Sequence, residues 1–437
     1  MPRLPDAIAL RSLRGCGVRL RVCLAIAMAA PVCSHAQDAT VSENPMWLLK
    51  GFGSIVATRT TDSGVGWRVQ NQPIDQARAS AGRWALEPES LIGLQVDMRP
   101  YEDLSATVQI IATNRSRGYA EADAELAFVR YKFSPQLQMR VGRIWTPAFM
   151  NSETRYIGYA NSTLRDTNYT LYQITNLNGA DARLTTTLGD GTANASVYFG
   201  ENRYQLPDSA SGKEDHFELP RIVGGFVAWE DERLFLRSSF TRIILARRGD
   251  ANSAILATTV PALRAAAANG TCTVCAEEAG KWERVWSGVS YDVFTLGARY
   301  SKDDVTVSAE YILRDTDGTF PRASGWALEV SRSMGSWTPY LGWSTLRTTS
   351  NNAPVFPANL AQFAGLNAAY AAGAVDRSLT TVGLKWSLSR SLALRAEAMD
   401  VRFISPKAGV GFAPVVVGAP GLPERYSVLS ASVDFLF

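Results

Sequence analysis

Few residues of this chain have side chains and neighbours that could carry out a reaction. The sequence contains two histidines, His35 near the N-terminus and His216, which follows Asp215. A hydrolase that uses Ser or Asp with His needs a nucleophile in a recognisable setting, and no nucleophile motif accompanies this pair. We therefore expect no enzymatic activity and no cofactor, and we expect His216 to be a solvated side chain of an outer loop.

The pair Cys272 and Cys275 is the other candidate for chemistry. In an oxidising compartment we expect these two cysteines to form a local disulfide. A metal site and a redox pair are the alternatives. A single C-x-x-C without a second pair or a nearby His is weak evidence for zinc, and no βαβ pattern supports a thioredoxin-like role. We predict the disulfide and no metal site.

The first residues of the chain predict export from the cytoplasm. A basic region precedes an apolar run over 22–30, and small residues end at Ala36, which is typical of a secretory signal over 1–36. The apolar run is too short to cross a bilayer as a helix. Cys33 offers the alternative of a lipid-modified N-terminus, but the residues before it are unlike those of a lipoprotein signal.

The charge balance changes once this signal is set aside. It contains five of the 44 basic residues and one of the 41 acidic ones, so the remainder has 39 basic and 40 acidic residues and a net charge of −1. The basic pI therefore belongs to the targeting segment. It supports no interaction with nucleic acid.

Beyond the signal, segments of about ten residues alternate between apolar and small or polar side chains, which is typical of strands with two different faces. In residues 426–437, for example, Leu429, Ala431 and Val433 fall on one face and serines on the other. No run of 18 apolar residues follows the signal, so we expect no helical membrane span. The sixteen candidate strands are 47–58, 90–99, 104–113, 125–133, 137–144, 179–188, 193–202, 220–229, 233–243, 293–301, 304–313, 325–333, 337–346, 378–388, 391–401 and 426–437.

The connections between these strands alternate between short and long. This predicts an all-β fold, a transmembrane antiparallel up-and-down β-barrel of about 16 strands with short periplasmic turns and long extracellular loops. Closure leaves no strand edge with unpaired backbone groups in lipid. A hairpin hidden within 59–89 or 244–292 would make the number eighteen. A soluble β-sandwich or solenoid is disfavoured because the polar faces lack the Lys and Glu that would keep it soluble.

The same alternation places two sets of charged residues on the inward faces. The basic set is Arg130, Lys132, Arg140, Arg183, Arg237, Arg299, Lys385 and Arg395. The acidic set is Asp97, Asp181, Glu310, Glu329, Glu397 and Asp434. Such a mixed wall fits a water-filled lumen, because charges that face lipid are destabilising. Eight basic against six acidic positions predict at most a mild anion preference, and pairing that only stiffens the wall is the alternative.

With this pattern the chain resembles the Gram-negative porins, in the broad sense of sixteen-stranded outer-membrane channels, from Trp47 to Phe437. Its last strand is similar to the terminal signal that the barrel-assembly machinery reads. The resemblance therefore implies a role in assembly for Val433, Phe435 and Phe437.

The resemblance also implies a constriction, because the third long loop of such porins commonly folds into the barrel. The third long connection here is 145–178. The residues implied to form the constriction are Glu153, Arg155, Tyr159, Arg165 and Asp166. The acidic Pro-Glu-Phe-Gly-Gly motif of general porins does not occur in this loop.

Together these features predict a signal over 1–36, a short periplasmic segment over 37–46 and a barrel over 47–437 in the cell outer membrane. The predicted function is a porin, a passive diffusion channel for small hydrophilic solutes and ions. A channel selective for an anion or organic acid is one alternative, and a structural or adhesive barrel without transport is another. The implied partners are outer-membrane lipids, the barrel-assembly machinery and the solutes, and the resemblance implies a homotrimer.

Overall fold

The computed structural model describes residues 46–67, 79–114, 120–166, 169, 171–172, 174–207, 214–350, 356, 358–363, 366, 370, 374–404, 415–416 and 423–437. The predicted signal over 1–36 and all but Met46 of the predicted segment 37–46 lie outside these residues. None of the helices in the described part of the chain is long and apolar enough to span a membrane.

Sixteen strands close into one antiparallel barrel in which each strand pairs with its neighbours in the chain. The seam joins the first strand to the last, where Gly51 N donates to Phe437 O (2.7 Å) and Phe437 N donates to Gly51 O (2.9 Å). The predicted sixteen-stranded barrel is thereby confirmed. The strands are β1 Trp47–Thr60, β2 Leu91–Met98, β3 Leu104–Asn114, β4 Ala120–Lys132, β5 Leu137–Trp145, β6 Asn176–Leu188, β7 Gly191–Pro207, β8 Glu214–Glu230, β9 Leu234–Arg248, β10 Val289–Lys302, β11 Val305–Thr316, β12 Arg322–Arg332, β13 Trp337–Ser350, β14 Arg377–Ser387, β15 Leu392–Phe403 and β16 Arg425–Leu436.

The eighteen-strand alternative is wrong. Within 59–89, the only further strand among the described residues is the two-residue Val65–Gly66, which pairs with Val415–Val416 in a separate ribbon. The connection 249–288 is largely helical, with α1 Asp250–Ala254, a π-helical turn Ile255–Thr259, α2 Val260–Ala268 and α3 Cys275–Ser287.

The two faces of the barrel differ in the way the alternation predicts. Large apolar side chains point outward and are exposed, as at Val197, Phe199 and Val227. Aromatic residues at the ends of strands, among them Trp47 and Phe437, are also exposed on this face. The inward face is mainly polar in the half of the barrel near the short turns. Such a surface fits a barrel that stands in lipid around a hydrated lumen.

Several strands extend further toward the long loops than the alternation predicts. Strand β7 continues to Pro207, where the pattern ended at 202, and β4 begins at Ala120 rather than 125. The pairing register shifts in β4, where the ladder with β3 skips Glu125, and again in β8, where Ile222 pairs with Gly200 of β7 but Leu219 pairs with Asn202. A β-bulge reverses the inward and outward alternation. The sequence pattern is therefore lost at the bulge although the hydrogen-bonded ladder continues.

The long connections fold over and into the barrel. Loop L5 (249–288) and loop L7 (351–376) share an apolar cluster in which Trp282 packs against Tyr370. The buried carboxylate of Glu278 joins the two loops, because its Oε1 accepts hydrogen bonds from Trp282 Nε1 and Tyr370 OH, each at 2.8 Å. Cys272 and Cys275 form a disulfide within L5.

The largest apolar cluster lies inside the barrel, in the half near the long loops. Inward side chains from β8 to β13, such as Ile222, Ile243 and Ile312, are fully buried there. Loop residues Leu171 and Tyr172 pack against them. The polar lumen is therefore confined to the other half of the barrel, and the described loops and the wall form a shared apolar core above it.

Candidate functional site

The connection between β5 and β6, residues 146–175 and here called loop L3, contacts the inside of the barrel wall in two sectors. Its first part, 147–151, is bonded to β9, β10 and β11. On the loop side, most of the bonded atoms are backbone carbonyl oxygens and amide nitrogens. The polar side chains of the wall therefore hold the loop in position. The contacts are Arg237 Nη2 to Pro147 O (2.7 Å), Ser239 Oγ and Thr295 Oγ1 to Ala148 O (2.7 Å each), Met150 N to Glu310 Oε1 (2.6 Å) and Arg299 Nη2 to Asn151 Oδ1 (2.6 Å).

The second part of L3, residues 158–165, is bonded to β14 and β15. Between the two sectors the loop lines a small cavity against β11, β12 and β13, and Glu329 of β12 bonds Ser162 and Thr163, so the loop follows the inside of the wall from β9 to β15. Two cations of the wall bind carbonyl oxygens of the loop, and one carboxylate binds its amide. The contacts are Lys385 Nζ to Tyr159 O (2.5 Å), Arg395 Nη2 to Gly158 O (2.6 Å), Arg395 Nη1 to Thr163 O (2.8 Å) and Leu164 N to Glu397 Oε2 (3.0 Å).

Glycine at position 158 permits this close approach. A Cβ atom there would lie 2.3 Å from Asp434 Oδ1 and 2.5 Å from Ser54 Oγ, which are groups of β16 and β1 that already bond each other at 2.6 Å. No side chain fits in that space. The loop can therefore reach the wall at this point only through a residue without a side chain.

Arg165 is the most heavily bonded side chain of L3. Its guanidinium pairs with Glu89 of the connection 61–90 and, at 2.6 Å, with Glu397 of β15. It also donates to Thr58 Oγ1 (3.2 Å) and Ser430 Oγ (2.6 Å). The guanidinium and both carboxylates are almost completely buried. Arg165 therefore ties L3 to another loop and to the wall.

The wall opposite these attachments, on β4, β5 and β6, is rich in arginine. Arg130 and Arg140 are direct cross-strand partners that face the lumen. Arg140 Nε donates to Asp181 Oδ1 at 3.0 Å, whereas Arg130 Nε donates to the neutral Ser105 Oγ at 2.9 Å. Lys132 is exposed and makes no ion pair with a described residue. This part of the wall therefore keeps a surplus of positive charge.

Glu153 is the acidic residue of L3 that faces this basic wall. Its Oε1 accepts a hydrogen bond from Arg183 Nη2 at 2.8 Å. Burial acts to raise the pKa of Glu153, but Arg183 and Arg140 outweigh it and hold the pKa below its usual value. Glu153 is therefore ionised at neutral pH and offsets part of the positive charge.

Four further acidic residues lie in two places. Asp97 pairs with Lys50 (2.9 Å) on the wall formed by β1 and β2. Asp166, Glu310 and Glu329 line a cavity of about 60 Å³ between L3 and the wall. Burial raises the pKa of the Asp166 carboxyl group, and the nearby Arg155 only partly offsets this effect. These four carboxylates lie away from the arginine-rich wall.

All of the predicted wall positions point inward, and L3 gathers many of them around it. Lys385, Arg395 and Glu397 hold the loop itself, and Arg155 lies over the rings of Tyr156 and Tyr169. The pairing of Arg395 with Asp434 (3.2 Å) joins β15 to β16. His216 is exposed as expected, with Nδ1 at 3.4 Å from Gln205 Nε2, but its predicted place in a loop is wrong, because β8 begins at Glu214 and pairs His216 with Gln205 of β7.

Sequence reasoning missed three contributors to the lumen. Phe128 and Phe226 point inward beneath arginines, with the guanidinium carbons of Arg140 and Arg237 at 5.2 Å and 4.1 Å from the respective ring centroids. The alternation of 220–229 would have revealed the inward position of Phe226. Glu89 lies in an irregular connection, where no periodic signal exists.

No protein-family model matches the chain, and no curated protein matches it. Solved structures match its fold. Salmonella typhi OmpF in complex with daunomycin aligns with a TM-score of 0.53 and 10% identity over 90% of this chain and 97% of that one. An anion-selective porin from Comamonas acidovorans aligns at 0.53 with 13% identity over 90% and 99%. The outer-membrane channel DcaP of Acinetobacter baumannii aligns at 0.52 with 10% identity over 89% and 97%. The chain therefore has the fold of the outer-membrane porins.

Proposed function

We propose that this chain is an outer-membrane channel through which small hydrophilic solutes and ions diffuse, with a preference for anions. The observation that carries the proposal is the attachment of L3 to the inside of the barrel along β9 to β15, opposite the arginine-rich wall. A loop held inside a closed barrel narrows the path, and the residues next to it then determine which solutes pass. The fold shared with known porins, one of them described as anion-selective, supports the same proposal.

The proposed constriction is formed on one side by the part of L3 that contains Glu153, Arg155, Tyr159, Arg165 and Asp166, in which the buried Arg165 holds the loop in place and Glu153 faces the basic wall. The basic wall forms the other side. Arg130 and Lys132 supply its preference for anions, because neither makes an ion pair with a described residue. No reaction is part of this proposal, and no cofactor is needed.

Single-channel recording of the refolded protein in planar bilayers tests the proposal. We expect steady openings and, in a KCl gradient, a reversal potential of the sign that indicates more chloride than potassium current. The double variant R130E/K132E should lower or invert that preference without abolishing conductance. The matched control R264E changes charge on an exposed helix of L5, where Arg264 pairs with Glu283 at 2.7 Å. Equal effects of the two variants would contradict the role of the wall.

A second candidate function is a barrel that serves structure or surface contact without transport. The buried apolar cluster that L3, L5 and the wall share in the outer half of the barrel favours it. Protein shown to be folded by its heat-modifiable migration, yet giving no current at any voltage, would support this candidate and refute the channel.

We also propose export by the signal over 1–36, assembly through Val433, Phe435 and Phe437, and a homotrimer in the outer membrane. Sequencing the N-terminus of protein from purified outer membranes tests the cleavage after Ala36. Replacing Phe437 with Ala should reduce the amount of folded barrel, whereas replacing the exposed outward Val197 with Ala should not. Light scattering of the detergent-solubilised protein measures the number of copies.

A further inference from the structure

We propose that Arg183, Ser196 and Arg237, grouped around the ring of Phe226, form a binding subsite for a small monovalent carboxylate on the lumen wall. This inference rests on the proposed channel function, because the ligand would be a solute in transit. It adds a discrete site to that function, whereas the basic wall alone predicts only a diffuse preference.

The strand register brings these residues together. Ser196 on β7 is the direct cross-strand partner of Arg183 on β6 and of Phe226 on β8. Arg237 on β9 lies over the same ring, with its guanidinium carbon at 4.1 Å from the ring centroid, and that of Arg183 lies at 5.4 Å. One aromatic side chain thus holds two guanidinium groups beside one serine hydroxyl.

Three polar atoms of this group are buried without a hydrogen-bond partner among the described residues. They are Arg183 Nε, Ser196 Oγ and Arg237 Nε. Ser196 and Arg237 are more than nine-tenths buried, at 4% and 8% exposure. A buried donor without an acceptor destabilises a protein, so each such atom calls for an acceptor. Because the three atoms belong to one group of side chains, a single ligand with several acceptor lone pairs could bond all of them.

The charges define the ligand further. Arg183 has a carboxylate partner in Glu153 (2.8 Å), whereas Arg237 forms no ion pair with any described residue and donates only to the neutral Pro147 O. Glu153 and Glu310 act on Arg237 from beyond ion-pair distance, and Glu153 is already paired with Arg183, so a further negative charge beside Arg237 would stabilise its buried guanidinium. A carboxylate supplies that charge and offers planar oxygens that match guanidinium N–H groups. The partial exposure of the Arg183 side chain, 20%, leaves a way in from the lumen.

The test is binding of ¹³C-labelled acetate to the refolded protein in detergent, measured by NMR line broadening at low chloride. We expect saturable binding, and each of the variants S196A and R237K should weaken it about tenfold, since each removes one donor to a charged ligand. R237K keeps the positive charge and a donor for Pro147. The controls are S331A, a buried lumen-facing serine of β12, and R242Q, which alters an outward arginine.

Binding that S196A and R237K leave unchanged, or that S331A and R242Q weaken equally, overturns the subsite. Chloride that displaces acetate at equal concentration overturns the carboxylate assignment, because a spherical ion gains nothing from planar N–H pairs. Conductance without saturable acetate binding refutes this inference and leaves the channel standing. Saturable binding in a protein that never conducts refutes the channel and leaves the subsite.

Discussion

Replacing Arg165 with Gln should release L3 from the wall. The guanidinium holds two carboxylates, Glu89 and Glu397, and donates to Thr58 and Ser430, while only 7% of its side chain is exposed. Removing it leaves two negative charges buried at 6% and 1% exposure without their counter-ion. Breaking a buried ion pair in this way costs about 3–5 kcal/mol. This loss of stability concerns the attachment of L3 and of the connection 61–90, because the backbone hydrogen bonds between the strands do not involve Arg165.

Two measurements on R165Q test this reasoning. Thermal unfolding of the purified variant should occur at a lower temperature, and single-channel recordings should show larger and noisier openings because the loop is no longer held in one position inside the barrel. The triple variant R165M/E89Q/E397Q removes all three charges and should recover most of the stability. R264Q, which breaks an exposed ion pair, should change neither property. Wild-type conductance and melting temperature in R165Q would refute the role of Arg165 as the anchor of L3.

Three further outcomes follow from the structure. Burial raises the pKa of Glu278, so the folded state holds this proton to higher pH than the unfolded state does, and the docking of L5 on L7 should weaken as pH rises through that raised pKa. Hydrogen exchange in L5 should therefore become faster with pH, and E278Q should abolish this part of the pH dependence. Replacing Cys272 and Cys275 with Ala should speed hydrogen exchange in L5 but leave the melting of the barrel unchanged, since the bridged residues are only three apart. Changing Gly383 to Val should lower the free energy of unfolding in urea by about 1–3 kcal/mol, because its Cβ would lie 2.2 Å from the Tyr340 ring; equal midpoints would contradict this.

The apolar core inside the outer half of the barrel could not be predicted from the strand pattern. The alternation assumes a polar inward face, and it holds for Arg237 and Ser239 of β9. Four residues further along the same inward face, Ile243 is fully buried among apolar residues. The outward face beside it carries the exposed Arg242, so the two faces no longer differ here in the way that a polar lumen predicts.

The connection 61–90 illustrates a second limit. Glu89 pairs with Arg165, which is 76 residues away along the chain. Neither residue stands in a motif, and an ion pair between two loops leaves no periodic trace. Arg165 was predicted as part of the constriction from the resemblance alone, which gave its loop but neither its burial nor its partners.

Strand alternation and turn spacing were enough to predict the closed sixteen-stranded barrel and the inward position of the charged residues named for its wall. The reason is that strand alternation and turn length are local properties, and a barrel in lipid must satisfy all of them at once. The partners of these charges emerge only in the folded chain: Arg140 pairs with Asp181, L3 reaches β14 and β15, and Arg237 is buried without an ion pair to any described residue. Those pairings depend on strand register and on the path of a loop, and a shift of one residue in either would change every partner.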